Sequence, residues 1–172
     1  MDTVKKYMWI VVAGFAAVFL AIGGYLVYAG FEARAEVKAM LVEEQVYAGA
    51  GTEAWGVVPG TLVDNAVTAR AQANLIKEHT LGRYGPWGTI PREDTATRQT
   101  FVNGVALRSA LGLAEMGFGV ALMAIAVGGM AILMGVALGG AAVFAAVWAR
   151  QAATKKAPAM RPAKPAYAGA AT

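Results

Sequence analysis

The chain has 172 residues, of which 58% are hydrophobic, and its formal net charge is +4. This composition is too apolar for an ordinary soluble domain, and the apolar residues are concentrated in two blocks, which predicts a membrane protein. Cysteine is absent from the sequence, so disulfides, thiolate metal sites and cysteine nucleophiles are excluded.

The charges are distributed unevenly along the chain. Residues 1–6 sum to +1, residues 31–115 hold eight basic and ten acidic residues, and the tail from Arg150 holds five basic residues and no acidic one. Lys and Arg near membrane ends mark the cytoplasmic side, so both termini are expected in the cytoplasm and residues 31–115 outside it. Cleavage of a signal peptide near Ala33 is the alternative. The charge-free segment 7–31 is longer than the roughly 7–15-residue core of such a peptide, which favours an uncleaved anchor.

The first transmembrane helix is predicted at residues 7–30. Trp9 and Tyr28 are separated by about 28 Å along a helix, close to the roughly 30 Å thickness of the hydrocarbon core, and both residue types are common at its interfaces. Small residues recur at helical spacing on one face, where another helix can approach closely; they are Gly14, Ala17, Ala21 and Gly24. The abundance of Ala and Gly in this chain explains the stripe equally well.

This helix is expected to continue outside the membrane through residues 31–38, because Ala, Glu, Arg and Lys are good helix formers. One of its faces is apolar and carries Ala33, Val37, Met40 and Leu41. Another face is acidic and carries Glu32, Glu36 and Glu43. A cation site is one interpretation of the acidic face, but with no histidine nearby a solvated surface is favoured.

A second helix is predicted from Thr61 to about Thr80. Thr61 and Asp64 form a weak capping box after a Pro-Gly pair, and Gly82 is a natural stop. His79, the one histidine in the sequence, falls in the last turn, where the helix dipole favours it; this explanation is preferred to a role as a ligand.

The segment 81–94 is a candidate docking loop. Aromatic and arginine side chains, which are enriched at protein interfaces, alternate there with glycine turns; they are Arg83, Tyr84, Trp87 and Arg92. The alternative, which is favoured, is an ordered loop whose aromatic rings pack on the two helices that it joins.

From Asp94 or Thr95 one helix is expected to run without a break into the apolar segment 116–149. Its outer apolar face is predicted at Val102, Val105, Ala106, Ser109, Leu113 and Met116. The 34 residues of 116–149 carry no charge and span about 51 Å, roughly 20 Å more than the hydrocarbon core. The outer membrane boundary is therefore expected near Gly128, with residues 116–127 covered by the other helices, and any uncovered remainder argues for a partner or for self-association.

Small residues also follow one face of this second span at spacings of three and four. They are Gly117, Ala121, Ala124, Gly128, Ala131, Gly135, Gly139 and Ala142, with the strongest packing candidates at Gly128, Gly135 and Gly139. Met116, Met123 and Met130 form a separate row, for which packing is favoured over metal binding.

These observations predict an all-α membrane protein with two transmembrane helices in an antiparallel hairpin and an external helical bundle continuous with the spans. The expected regions are a cytoplasmic N-terminus (1–6), transmembrane helix 1 (7–30), an extracytoplasmic helical domain (31–115), a long apolar helix containing transmembrane helix 2 (116–149) and a basic, disordered cytoplasmic tail (150–172). The tail suits anionic lipid better than nucleic acid.

The sequence predicts no enzyme activity. The spans contain no charged, hydroxyl, amide or histidine side chain apart from tyrosine, and no catalytic, cofactor or metal motif is recognisable. The expected function is that of a structural or accessory subunit in a complex of the cell membrane, bound to other integral membrane subunits or to itself. An extracytoplasmic ligand-binding or sensing protein is the alternative, and an activity completed by a partner through His79 or Glu43 is a third.

Overall fold

The computed structural model describes the backbone of residues 2–155 and the side chains of residues 7–151. Three long helices dominate this part of the chain: α1 (Asp2–Glu43), α2 (Ala66–Lys77) and α3 (Thr95–Lys155). Short helical turns connect them at Thr52–Trp55, Glu78–Gly82 and Trp87–Thr89. No β-strand occurs among the described residues, where Tyr47 and Leu62 form an isolated antiparallel bridge. The described chain is thus all-helical, as predicted.

Helix α1 continues well beyond the first apolar segment, which confirms the expected helix at residues 31–38. No proline interrupts it. It ends where Gln45 adopts a φ of 47°, the left-handed conformation that commonly terminates a helix. The outer apolar face is only partly covered, since Leu41 is buried and Val37 half-buried while Ala33 and Met40 are exposed.

Helix α2 begins five residues later than predicted, because Thr61 is already engaged elsewhere. Ala48 N donates to Thr61 O at 2.8 Å and Val63 N donates to Val46 O at 2.9 Å, which keeps this segment extended. The cap is Asn65, whose side-chain oxygen accepts hydrogen bonds from the second and third backbone N–H groups of the helix at 2.9 and 3.1 Å. The Thr68 hydroxyl accepts in return from Asn65 N at 3.2 Å, which completes a capping box.

Helix α3 is a single helix of 61 residues, as the unbroken pattern predicts. Asp94 caps its start, since its carboxylate accepts from Thr97 N at 3.0 Å. Hydrogen bonding from the Thr97 side chain, and secondarily from its backbone N–H, lowers the pKa of Asp94. The helix extends to Lys155, so the first residues of the expected disordered tail are helical. The rest of that expectation concerns residues 156–172, which lie outside the described part.

The C-terminal end of α1, α2 and the N-terminal half of α3 share a small apolar core. Its buried members come from α1, the connection before α2, α2 and α3: Leu41, Val63, Ala69, Leu111 and Phe118. The apolar face predicted for α3 is largely exposed, since Val102, Leu113 and Met116 are 47%, 67% and 65% exposed, while Phe101, Leu111 and Phe118 are buried. Helix α3 has apolar residues on several faces, and the packing of α1 and α2 selects which of them is buried.

Two helical segments, Tyr7–Glu43 and Thr95–Gln151, are long and apolar enough to cross a membrane. They belong to α1 and α3, which contact each other along much of their length.

Candidate helix-packing interface

Small residues repeat every seven positions where α1 and α3 meet. On α1 the repeat is Ala16, Gly23 and Gly30, and on α3 it is Ala121, Gly128 and Gly135; all six are buried. We call these six residues the α1–α3 seam. A seven-residue repeat keeps one face of a helix turned toward its neighbour, and small side chains let the two backbones approach.

Gly23 and Gly128 mark the closest approach in the seam. A Cβ atom built on Gly23 would lie 2.7 Å from Gly128 O, and one built on Gly128 would lie 2.7 Å from Gly23 O. Both obstacles are backbone atoms, which cannot rotate aside. Only glycine therefore fits at these two positions without a displacement of the helices.

The other seam contacts show the direction of the helices. A Cβ atom on Gly30 would lie 2.8 Å from Ala121 O, and one on Gly135 would lie 3.0 Å from Ala16 O. Moving seven residues forward along α1 thus leads to a contact seven residues earlier on α3, so the two helices run in opposite directions. By this matching, Tyr28 is level with about residue 123 of α3, since both helices rise by ~1.5 Å per residue.

The seven packing residues predicted from the sequence occupy two different surfaces. Gly128 and Gly135 lie in the seam, and a Cβ atom on Gly139 would lie 3.9 Å from Ala16 Cβ at its edge. The predicted stripe on α1 lies outside the seam and is exposed, at Gly14, Ala17, Ala21 and Gly24. The α1 residues that contact α3, Ala16, Gly23 and Gly30, were not predicted. Their seven-residue spacing equals the spacing of the small residues on α3, and this match would have indicated them.

Two ion pairs connect α2 to the longer helices. Lys38 Nζ lies 2.9 Å from Asp64 Oδ2, and this bond, together with a weaker one from Asn65, lowers the pKa of Asp64. Arg70 Nε donates to Glu115 Oε1 at 2.7 Å, and the pairing raises the pKa of Arg70. The segment just before α2 is therefore attached to α1, and the middle of α2 is attached to α3.

The candidate docking loop packs partly on α3. The Trp87 ring lies 5.6 Å from the Phe101 ring, and the Arg98 guanidinium lies 3.9 Å from the centre of the Trp87 ring. Arg98 also donates to Ile90 O at 3.0 Å, which holds the loop against the helix. Arg83 lies over the Tyr84 ring at 5.5 Å, and Arg92 is exposed. The docking role of Arg83, Tyr84, Trp87 and Arg92 stays a prediction.

Across the described residues, no three His, Asp or Glu side chains come together as a potential metal site. No known protein family matches the chain, and neither a curated protein nor a solved structure matches it.

Proposed function

We propose that this protein is a structural or accessory subunit of a larger complex in the cell membrane. In this proposal α1 and α3 form an antiparallel transmembrane hairpin, and their outer ends with α2 form an external helical bundle. Both termini lie in the cytoplasm, and the chain itself carries out no catalytic step. The apolar lengths of α1 and α3 and their close packing support the hairpin.

The packing of α1 on α3 supports a revised membrane boundary. The boundary expected near Gly128 would cut α1 at Gly23, in the middle of its charge-free segment, because those two residues are in contact. Matching the spans instead puts Tyr28 and about residue 123 of α3 at the same outer interface. With the boundary near residue 123 instead of Gly128, a longer part of the apolar segment 116–149 lies within the bilayer.

The observation that carries the proposal is an uncovered apolar surface beyond this boundary. A Cβ atom on Gly117 would lie 3.0 Å from Val37, which follows Glu32 and Glu36 on α1. Leu113 and Met116, at or beyond this height, are therefore expected in water, yet each is about two-thirds exposed. Complete burial of a Leu or Met side chain is worth about 1.5–3 kcal/mol, so a partner that covered them would bind favourably.

The shape of this surface also suits a protein partner. Beside Leu113 lies a groove of about 500 Å³ between α1 and α3, with Met40 at one wall and Ala110 and Ala114 in its lining. Toward the membrane the exposed surface continues along α3 through Val120, Met123 and Met130. A membrane subunit with its own span and an outer helix would cover both parts at once.

Photo-cross-linking in intact membranes tests this proposal. A photoreactive residue at Leu113 or Met116 should form an adduct with another membrane protein or a second copy of this chain. The same residue at Val58, which is 71% exposed on the connection before α2, serves as the control and should form none. Migration as a lone, fully stable monomer after mild detergent extraction, without adducts at Leu113 or Met116, would contradict the proposal.

Single cysteines test the topology, because the natural chain has none. A membrane-impermeant maleimide should label Val58→Cys on intact cells. It should label Ala168→Cys, in the tail, only after lysis. The opposite pattern would reverse the orientation of the hairpin without affecting the cross-linking result.

One observation favours the sensing alternative. A cavity of about 350 Å³ beside α2 is lined by Trp55, Val67, Arg70 and Glu115 among others, and it combines an aromatic surface with a charged pair. If this cavity served a sensor, removal of residues 151–172 would abolish the signal, whereas an accessory subunit would tolerate the loss.

A further inference from the structure

The ends of α1 and α3 near Trp9 and Arg150 enclose a groove that the helices themselves do not fill. Its volume is about 470 Å³. A Cβ atom on Gly139 would lie 3.9 Å from Ala16 Cβ, compared with 2.7 Å between such an atom on Gly23 and Gly128 O. The backbones of the helices thus approach most closely at the Gly23–Gly128 contact and are farther apart toward this end.

The lining of this groove is apolar and consists largely of small side chains. Ala13 and Ala17 contribute from α1, and Ala142 and Ala146 contribute from α3. Side chains of this size permit close helix contact. Ala142 is buried in that way, whereas Ala13, Ala17 and Ala146 remain at least partly exposed. Inside a bilayer an unfilled gap forfeits van der Waals contacts, so a membrane component is expected to occupy it.

The length of the groove indicates which component fits. On α1 it extends from Trp9 to Leu20, which is about 16 Å along the helix and about half of the ~30 Å hydrocarbon core. A transmembrane helix of a partner would need the full thickness. A single acyl chain of one leaflet needs only half of it.

The mouth of the groove carries positive charge. Arg150 lies at that end together with Trp9, and a guanidinium group can donate a charge-assisted hydrogen bond to a phosphate. In the sequence, residues 150–172 hold five basic residues and no acidic one. An anionic headgroup complements this charge better than a zwitterionic one.

We propose that the Trp9–Arg150 groove binds one anionic phospholipid, with an acyl chain between α1 and α3 and its phosphate at Arg150. This inference rests on the membrane placement proposed above and is independent of any partner complex. Because the groove is formed within one chain, the lipid would remain bound to the isolated protein.

Native mass spectrometry of the full chain tests the acyl-chain site. Phosphatidylglycerol and phosphatidylcholine with identical oleoyl chains are added separately to the detergent-solubilised protein. Ala146→Leu fills the groove, and Ala141→Leu makes the same change at an exposed position outside it. Wild type and Ala141→Leu should each retain one phosphatidylglycerol, and Ala146→Leu should retain about tenfold less. Equal retention by the two variants would overturn the proposal.

A second groove-filling variant controls for the possibility that the first one misfolds. Ala13→Leu narrows the same space from α1, with Ala21→Leu as its exposed control, and circular dichroism verifies the helix content of all variants. Failure of both filling variants to reduce lipid retention, with native helix content, would refute the site. Resistance of the wild-type protein to alkaline carbonate extraction tests membrane placement separately, so the two failures are distinguishable.

Arg150→Gln tests the headgroup assignment. The wild-type protein should favour phosphatidylglycerol over phosphatidylcholine by about tenfold, the effect of one charge-assisted hydrogen bond. In Arg150→Gln the two lipids should bind equally while the adduct persists, and an undiminished preference would refute the role of Arg150. Inorganic phosphate should not displace phosphatidylglycerol from the wild-type protein; displacement would show a free-phosphate site and overturn the acyl-chain assignment.

Discussion

Replacing Gly23 with alanine should weaken the α1–α3 seam, whereas the same replacement at Gly24 should not. The new methyl group at Gly23 would lie 2.7 Å from Gly128 O and 2.8 Å from Ile132 N. Both are backbone atoms, so relief requires movement of a whole helix. At Gly24 the methyl group would meet nothing within 4 Å.

The two variants differ only in this steric effect. Alanine in place of glycine inside a helix contributes about 0.5–1 kcal/mol of stability at either position. Overpacking at a close contact costs about 1–3 kcal/mol. Gly24→Ala is therefore expected to stabilise the protein by up to about 1 kcal/mol, and Gly23→Ala to be less stable than Gly24→Ala by about 1–3 kcal/mol.

The assay is unfolding of the full-length protein in mixed micelles by increasing SDS, followed by tryptophan fluorescence. Gly128→Ala should behave like Gly23→Ala, since it meets the same contact from the other helix. The double variant should lose less than the sum of the two single changes, because the first methyl group already separates the backbones. Identical shifts for Gly23→Ala and Gly24→Ala would refute the close backbone contact.

Three further predictions concern the outer region. Gly104→Ala should destabilise the packing of α2, because the new methyl group would overlap the Thr80 methyl group; Thr80→Ser should restore the protection of α2 amides in hydrogen exchange, and no rescue would contradict this contact. Asn65→Ala should cost about 1 kcal/mol in chemical unfolding through loss of the cap, while Asn65→Asp should retain most of the stability. The pKa of Asp64 is lowered chiefly by its bond to Lys38. Its ionised carboxylate therefore stabilises the fold above the unfolded pKa of about 3.9, and this contribution is lost as the pH falls below that value. Because the pair is partly exposed, the loss should be under about 1 kcal/mol, and Lys38→Met should reduce the difference in thermal stability between pH 7 and pH 3; an equal difference in both proteins would refute the assignment.

The extent of α1 and α3 could be predicted from local properties of the chain. Long stretches without proline, rich in helix formers, specify helices whatever their surroundings, and the cap at Asp94 is made by residues only three positions apart. The late start of α2 could not be predicted in this way. Thr61 is held in an extended segment by its bond to Ala48, a contact that a local capping pattern does not reveal.

The interpretation of the candidate loop required the folded chain as well. Its sequence is compatible with an exposed docking surface but favours an ordered loop. The positions of Phe101 and Arg98 beside Trp87 depend on where α3 starts and how it is rotated.

The sequence by itself determined that the protein is helical, that two of its helices are long and apolar enough to span a membrane, and that α3 continues unbroken from the outer region into its apolar segment. Only the tertiary structure decided which faces meet: Gly23 rather than Gly24 contacts α3, and Leu111 rather than Leu113 is buried. The physical reason is that helix formation depends on local propensity, whereas the rotation of a helix about its axis is selected by the fit of one surface to another. In a helix that is apolar on every side, hydrophobic periodicity does not encode that rotation.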